Sequence, residues 1–296
     1  MTERQASAGE GRDVPFPLSR DETEKLVRAA LEEDRAFDDI TTLATVPPDA
    51  SATAVLVARA EGVIAGLPLA IMAFHLLEPR VQVRIQAWDG SRVVRGDIAL
   101  TLEGPARALL SAERIALNFV QRLSGIASLT ARYVDAVRGT RAQILDTRKT
   151  TPTFRALEKY AVRCGGGVNH RMDLASAVLI KDNHLAAVGG DIALAVEHSR
   201  ATAPPGTCIE VECDDISQVR AAGAAGADII LLDNMTPEQM RECVDLLAGC
   251  ALTEASGGIT LARARAVAEA GVDRISVGAL THSAPALDVA LDFIRA

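Results

Sequence analysis

The sequence predicts an α/β protein in two parts: an α+β first half and a second half of repeated βαβ units. Three observations carry this reading. The chain has 296 residues, which at ordinary domain sizes makes about two domains. Hydrophobic residues make up 49% and charged residues 24%, a globular composition. After a long central helical stretch, short apolar runs begin to alternate with amphipathic segments.

Residues 1–17 are rich in Gly, Ser, Glu and Pro and read as a disordered tail. Order is expected from about Ser19, where Ser19 and Glu22 have capping-box spacing ahead of the stripe Leu26, Val27, Ala30 and Leu31. Ala54–Ala58 and Val81–Ala87 read as strands, with Asp89-Gly90 as a turn and Ile98–Leu102 as a further strand. A helical stretch follows from about Arg107 to Val137, with Gly125 as an expected break.

In the second half the apolar runs are Gln143–Leu145, Ala177–Ile180, Cys208–Val211, Asp228–Leu232, Ala251–Leu252 and Arg274–Val277. Ile192–Ala201, Ile216–Ala222, Pro237–Leu247, Leu261–Ala270 and Pro285–Ile294 read as helices. Ala225-Gly226-Ala227 and Ala270-Gly271-Val272 place a glycine helix C-cap just before a strand. Six such units suit either a (β/α) barrel with fewer than eight strands or an open doubly wound sheet.

Composition narrows the function. Aromatics are only 3% of the chain, too few for the stacking platforms of a single-strand nucleic-acid binder. The 39 acids and 31 bases give a net charge of −8, so a general polyanion-binding surface is not expected. The longest uncharged apolar run, Gly62 to Leu77, contains Pro68 and His75 and is shorter than the ~18 residues of a membrane span. Five cysteines without a CxxC pair suggest reduced, buried thiols and a cytoplasmic protein.

In parallel α/β folds the site lies at the carboxyl ends of the strands. Those ends carry Asp146-Thr147-Arg148-Lys149, then Lys181-Asp182-Asn183-His184, and Glu210 with Glu212. Asp233-Asn234, Glu254 with Ser256-Gly257-Gly258, and Val277-Gly278-Ala279 follow. From Thr147 to Lys181 there are seven bases and two acids, a net +5, which leaves −13 on the rest of the chain. Clustered Arg and Lys suit carboxylate and phosphate ligands. Arg155 and Lys159 could instead simply flank Glu158 on a solvated helix face. The small-residue loops suit a phosphate. Gly165-Gly166-Gly167 lacks the GK[ST] of a P-loop and suggests close backbone approach. His170 and His184 are better placed than His75 or His198 for a functional part. No HExxH, GxSxG, GxGxxG or zinc-spaced cluster occurs. Lys181 leaves a Schiff-base lyase open as an alternative, and a non-catalytic phosphometabolite binder is another.

The motifs EDRAFDDITT (33–42), ERIALNFVQRLSGIAS (113–128), DTRKTTPTFRALEKYAVRCGGGVNHR (146–171), LIKDNH (179–184), IEVEC (209–213), LLDN (231–234), EASGGI (254–259) and ISVGALTHS (275–283) resemble the quinolinate phosphoribosyltransferase family over nearly the whole chain. The resemblance implies an N-terminal α/β sandwich (18–125), onto which the segment 283–296 packs back. It implies a C-terminal α/β barrel of fewer than eight strands (126–282). It also implies a homodimer with a shared active site, joining quinolinate to phosphoribosyl pyrophosphate with Mg²⁺ and losing pyrophosphate and CO₂. On this resemblance Arg148, His170, Arg171 and Lys181 hold the two carboxylates, and Arg114 reaches in from a second subunit. Thr147 belongs to the same substrate site, and Lys149 lies near quinolinate and pyrophosphate. Glu212 and Asp233 face the ribose and Mg²⁺. Lys149, Lys181, Glu212 and Asp233 form the catalytic set. Ser256, Gly257, Gly258, Val277, Gly278 and Ala279 take the 5′-phosphate. A molybdate-locus relative of the same fold would lack the quinolinate-binding bases. Two residues depart from the pattern the resemblance implies: Thr153 and Asp173 stand near the basic loop where glycine is common.

Overall fold

A computed structural model describes residues 14–294 of the protein. Most of the expected disordered tail, residues 1–13, lies outside the described residues. The remaining tail residues are engaged: Phe16 packs edge-on against Tyr160 at 5.2 Å, and the Pro15 carbonyl accepts from Arg163 Nη2 at 3.1 Å.

The chain divides into two compact units. The first holds the described residues up to Ala131, then Ala156–Gly166 and the segment from Ala284. Helix α1 (Arg20–Glu33) opens on the expected capping box, with Glu22 N–H donating to Ser19 Oγ and Ser19 N–H donating to Glu22 Oε2. Val27 and Leu31 are wholly buried on its inner face. A 3-10 turn (Ala36–Asp38) leads to α2 (Ile40–Thr45), capped by Asp39. Strands β1 (Ser51–Ala58) and β2 (Gly62–Val63) precede α3 (Leu67–Leu77). The uncharged run from Gly62 is therefore a strand and a helix. Asp89, in the expected turn, accepts from the N–H groups of Gly66 and Leu67 at the start of α3, and from the Tyr160 hydroxyl at 2.8 Å. Burial pushes the Asp89 carboxyl above its ordinary range.

Strands β3 (Gln82–Ile85), β4 (Arg92–Val93) and β5 (Ile98–Pro105) follow. β2 pairs with β4, and an antiparallel sheet runs β12-β1-β5-β3, where β12 is Val289–Ile294. That last strand corrects the helix expected at Pro285–Ile294. Val289 and Leu291 are buried while Ala290 and Asp292 are not, a period of two that fits the open edge of β1.

Helix α4 (Ala106–Ala136) runs without the break expected at Gly125. A Cβ there would stand 2.1 Å from the Pro285 carbonyl oxygen, so this glycine serves close approach of the returning chain. Helix α5 (Arg155–Cys164) was hidden in the basic segment. Glu158 and Lys159 are fully buried rather than on a solvated face, and Glu158 pairs with Arg122 at 2.6 Å. Gly165, just beyond α5, would place a Cβ 2.3 Å from the Ala127 carbonyl oxygen.

The second unit holds Arg132–Arg155 and Gly167–Ser283. Its sheet has six strands, all parallel: β6 (Gln143–Leu145), β7 (Val178–Ile180), β8 (Ile209–Cys213), β9 (Ile229–Asp233), β10 (Leu252–Ser256) and β11 (Arg274–Ser276). Their order is β6-β11-β10-β9-β8-β7, and a parallel bridge from Leu145 to Val168 sits on the outer side of β6. Helices α6 (Asp182–Ala187), α7 (Ile192–Thr202), α8 (Ile216–Ala224), α9 (Pro237–Leu247) and α10 (Leu261–Glu269) connect β7 to β11, and α11 (Ala279–His282) follows β11. The βαβ rhythm read from the sequence is thus this parallel sheet. Among the cysteines, Cys164, Cys213 and Cys243 are buried as expected, but Cys208 is half-buried and Cys250 is exposed. No helix among the described residues is long and apolar enough to cross a membrane.

Candidate active site

The carboxyl ends of the parallel strands surround a cavity of about 830 Å³. Strand pairing explains the convergence. Glu254 on β10 is level with Leu231 on β9, which is level with Glu212 on β8, so residues just past each run reach the same end. Alternation along β8 sends Glu210 and Glu212 to one face.

The cavity lining contains Thr147, Arg148, Lys149, His170, Arg171, Lys181, Glu212, Asp233, Ser256, Gly257, Gly258, Val277, Gly278 and Ala279. Of the residues given a substrate role by resemblance, Arg114 is not in this lining. It stands on α4 in the first unit, in a smaller hollow with Asp34, Arg35, Asp38, Asp39 and Ser111. His184 is also outside the lining; its Nδ1 accepts from the Lys181 N–H and so helps set the start of α6.

The cations crowd one another. Burial first, then the neighbouring Arg148, lowers the Arg171 guanidinium from its ordinary value. Arg148 Nε is buried with no hydrogen-bond partner. Two such guanidiniums favour an anion between them. Lys181 Nζ is held against Glu212 in an ion pair. Asp233 is pushed up by burial and by Asp214, while Lys181, Asn234 and Lys149 pull it back. The site therefore has a cationic part and a carboxylate part.

Two glycine loops finish the wall. At Gly257, with φ +87°, a Cβ would fall 2.2 Å from Asn234 Oδ1. At Gly278 a Cβ would meet Lys149 Cδ at 3.1 Å and His282 Nε2 at 3.2 Å. Thr281 Oγ1 donates to the Lys149 carbonyl at 2.7 Å and ties the basic loop to α11. Asn234, Glu254, Thr260, Ser276 and His282 also line the cavity and were not assigned to it from the sequence. Asn234 and Glu254 had a signal, being polar residues at strand ends. His282, Ser276 and Thr260 had none, because only the fold brings them round.

The loop carrying His170 and Arg171 has no long strand of its own and is pinned by side chains. The His170 N–H donates to Asp146 Oδ1 at 3.0 Å, and Asn169 Nδ2 donates to Asp146 Oδ2 at 2.5 Å. The His170 ring is part of a buried trio. Its Nε2 lies 3.2 Å from Glu210 Oε2 and 3.3 Å from Glu254 Oε1. Its Nδ1 accepts from the Arg171 N–H at 2.8 Å. Burial alone would lower the ring's pKa, but the two carboxylates raise it to about 9. Burial, opposed by His170, also pushes the Glu210 carboxyl up. The Arg171 N–H aimed at Nδ1 puts the ring's own proton on Nε2, facing the two carboxylates.

Comparison with known proteins agrees with this fold. The family description "Quinolinate phosphoribosyl transferase, N-terminal domain" matches residues 39–124, and its C-terminal counterpart matches 126–292. The chain belongs to the quinolinate phosphoribosyltransferase family. Among its relatives, a carboxylating nicotinate-nucleotide pyrophosphorylase of Mycobacterium leprae is 47% identical, over 95% of this chain and 99% of that one. A probable enzyme of the same name from Bacillus subtilis is 44% identical, over 90% and 92%. The crystal structure of NadC from Streptococcus pyogenes superposes with a TM-score of 0.89 at 42% identity, covering 94% of this chain and 99% of that one. The fold of this phosphoribosyltransferase family is thus an N-terminal sheet domain followed by a parallel α/β domain, as seen here.

Proposed function

We propose that the protein transfers phosphoribose from phosphoribosyl pyrophosphate to quinolinate with loss of CO₂, giving nicotinate mononucleotide and pyrophosphate for NAD synthesis. The observation that carries this is the division of one cavity into a guanidinium and ammonium part (Arg148, Lys149, Arg171, Lys181) and a carboxylate part (Glu212, Asp233). A dianionic pyridine dicarboxylate and two phosphate-bearing groups need the first. The cationic sugar that forms as pyrophosphate leaves needs the second.

Arg148, Arg171 and Lys181 grip the carboxylates, with His170 beside them. Lys149 serves the pyrophosphate, and the loops Ser256–Gly258 and 277–279 serve the 5′-phosphate. The crowded, partly unpaired guanidiniums support this, since an anion relieves them. Once ribosylated, the ring nitrogen is a pyridinium and accepts the electron pair released by the adjacent carboxylate. Decarboxylation then needs positioning more than acid–base help.

Glu212 and Asp233 would hold Mg²⁺, whose oxygen preference they meet. The raised Asp233 carboxyl, beside Asp214, is a setting that a cation stabilises. When bound, the ion neutralises pyrophosphate charge. The working form is a homodimer in which Arg114 completes the cavity of a second copy, acting on free metabolites in the cytoplasm. The Schiff-base alternative loses ground because Lys181 Nζ is engaged by Glu212.

The test is direct. Purified protein with quinolinate, phosphoribosyl pyrophosphate and Mg²⁺ is expected to form nicotinate mononucleotide and CO₂ in equal amounts. Folded protein that forms neither would overturn the reading.

A further inference from the structure

The His170–Glu210–Glu254 trio puts two carboxylates in the interior beside a cavity built for an anion. Glu210 is 3% exposed and Glu254 not at all. Glu210 Oε1 and both oxygens of Glu254 make no hydrogen bond, so Glu254 meets the ring through the 3.3 Å charge contact of its Oε1. Such an arrangement has a structural use only if the two carboxylates hold something in place.

A divalent cation is the first candidate, since ligand atoms of all three residues lie within 4.8 Å of one another. The ring's hydrogen bonding argues against it. Nδ1 accepts the Arg171 N–H. The ring proton is therefore on Nε2, which leaves that nitrogen no lone pair for a metal.

What the two carboxylates hold is the ring. We propose that Glu210 and Glu254 are positioning residues: they clamp the Nε2–H edge of His170, whose Nδ1 in turn fixes the Arg171 backbone and so the guanidinium that grips the substrate carboxylate. The contacts form one chain. β8 and β10 supply Glu210 and Glu254, and the ring spans from them to the Arg171 N–H. The guanidinium is braced at its other end by Nη1 donating to the Ala177 carbonyl at 2.9 Å. Asp146, at the end of β6, holds the same loop through the His170 N–H. Three separate strands thus locate one arginine. His170 acts through both nitrogens on protein groups, and the resemblance-derived part for it, holding a substrate carboxylate, becomes an indirect one.

This rests on the proposed reaction, and the experiment separates the two. Steady-state kinetics are measured for wild type, Glu254→Leu, Glu254→Gln and His170→Asn. Product from wild type tests the reaction itself. In Glu254→Leu the KM for quinolinate is expected to rise on the order of tenfold or more, with kcat changed less and the KM for phosphoribosyl pyrophosphate unchanged. Glu254→Gln, which keeps a polar oxygen facing Nε2–H, is expected to recover most of that loss. His170→Asn keeps an acceptor for the Arg171 N–H but cannot reach both carboxylates, and is expected to fall between them. Equal rises in both KM values, or no recovery with glutamine, would overturn the proposal. One equivalent of metal in the wild type, measured by elemental analysis and absent from Glu254→Gln, would overturn it in favour of a metal centre. If the wild type forms no product, crystal structures decide. The Arg171 guanidinium is expected to move in Glu254→Leu and stay in Glu254→Gln, and an unmoved guanidinium in both overturns the idea.

Discussion

Arg148 and Arg171 stand close enough for one to depress the other, and each contributes a charge whose neighbour remains after truncation. Arg148→Ala should therefore cost about 2–5 kcal/mol in transition-state binding, the range for removing one member of a desolvated charged contact. The ratio kcat/KM for quinolinate measures it, and wild-type kinetics would refute the assignment. Thr153 makes a different point. It has φ +67°, in the left-handed region that a β-branched residue avoids. A glycine there would carry no such strain. Thr153→Gly should raise stability by about 1 kcal/mol, the left-handed penalty less the extra entropy of glycine, and a thermal melt checks it. Asp173, the other departure, makes its own turn by accepting from the Ala175 N–H and the Ser176 hydroxyl. At this scale the sequence was most legible where a residue sits at a strand end, since alternation and strand direction fix where it points. It was least legible for residues such as His282, which enters the cavity only through the turn into α11. The place of Glu254 at a strand end could be read, but its partner, a histidine from a distant loop, could not.

Among the elements, those with a clear period were readable and those shaped by a partner were not. The capping box announced α1, and alternation announced β3. The last strand, β12, read as a helix because a short apolar segment is consistent with either period, and only the open edge of β1 decides between them. Helix α5 was obscured by its own charges, which the fold buries and pairs. Gly125 looked like a helix breaker and is instead a contact point within α4. Gly125→Ala must displace the Pro285 carbonyl, so it should destabilise the protein by about 1–3 kcal/mol, as overpacking does. Chemical denaturation measures this, and a neutral result would mean that the returning segment can shift freely.

For the whole molecule, net charge proved a poor guide to ligands. The −8 average conceals a +5 segment, part of which lines the cavity and part of which, such as Lys159, is buried away from it. Stability should carry the mark of the buried trio. His170 and Glu210 both hold protons more tightly in the folded protein than in the unfolded chain. The trio's hold on this proton contributes fully below the imidazole's ordinary 6.5 and is lost as pH rises through about 9; the Glu210 shift has the same sign. Melting temperature should fall across that interval, and the fall should be smaller in His170→Asn. A shared site makes a further prediction. Mixed dimers of Arg114→Ala and Lys181→Ala protomers should regain part of the activity that each lacks alone. Verified heterodimers with none would count against a shared cavity.

The pairing of β12 with β1 has a consequence for how the protein is made. β1 leaves the ribosome early, but its outer neighbour is translated only after every strand of the parallel sheet. Throughout synthesis the first sheet therefore presents a bare edge of unpaired backbone groups, the kind of surface that recruits other nascent chains. In the second unit β7 to β11 each pair with the next strand in sequence and can assemble in turn, and only β6 waits, for β11. A chain that ends before residue 289 has every strand of the parallel sheet and an antiparallel sheet one strand short. Chaperones that shield strand edges would be needed most in that interval.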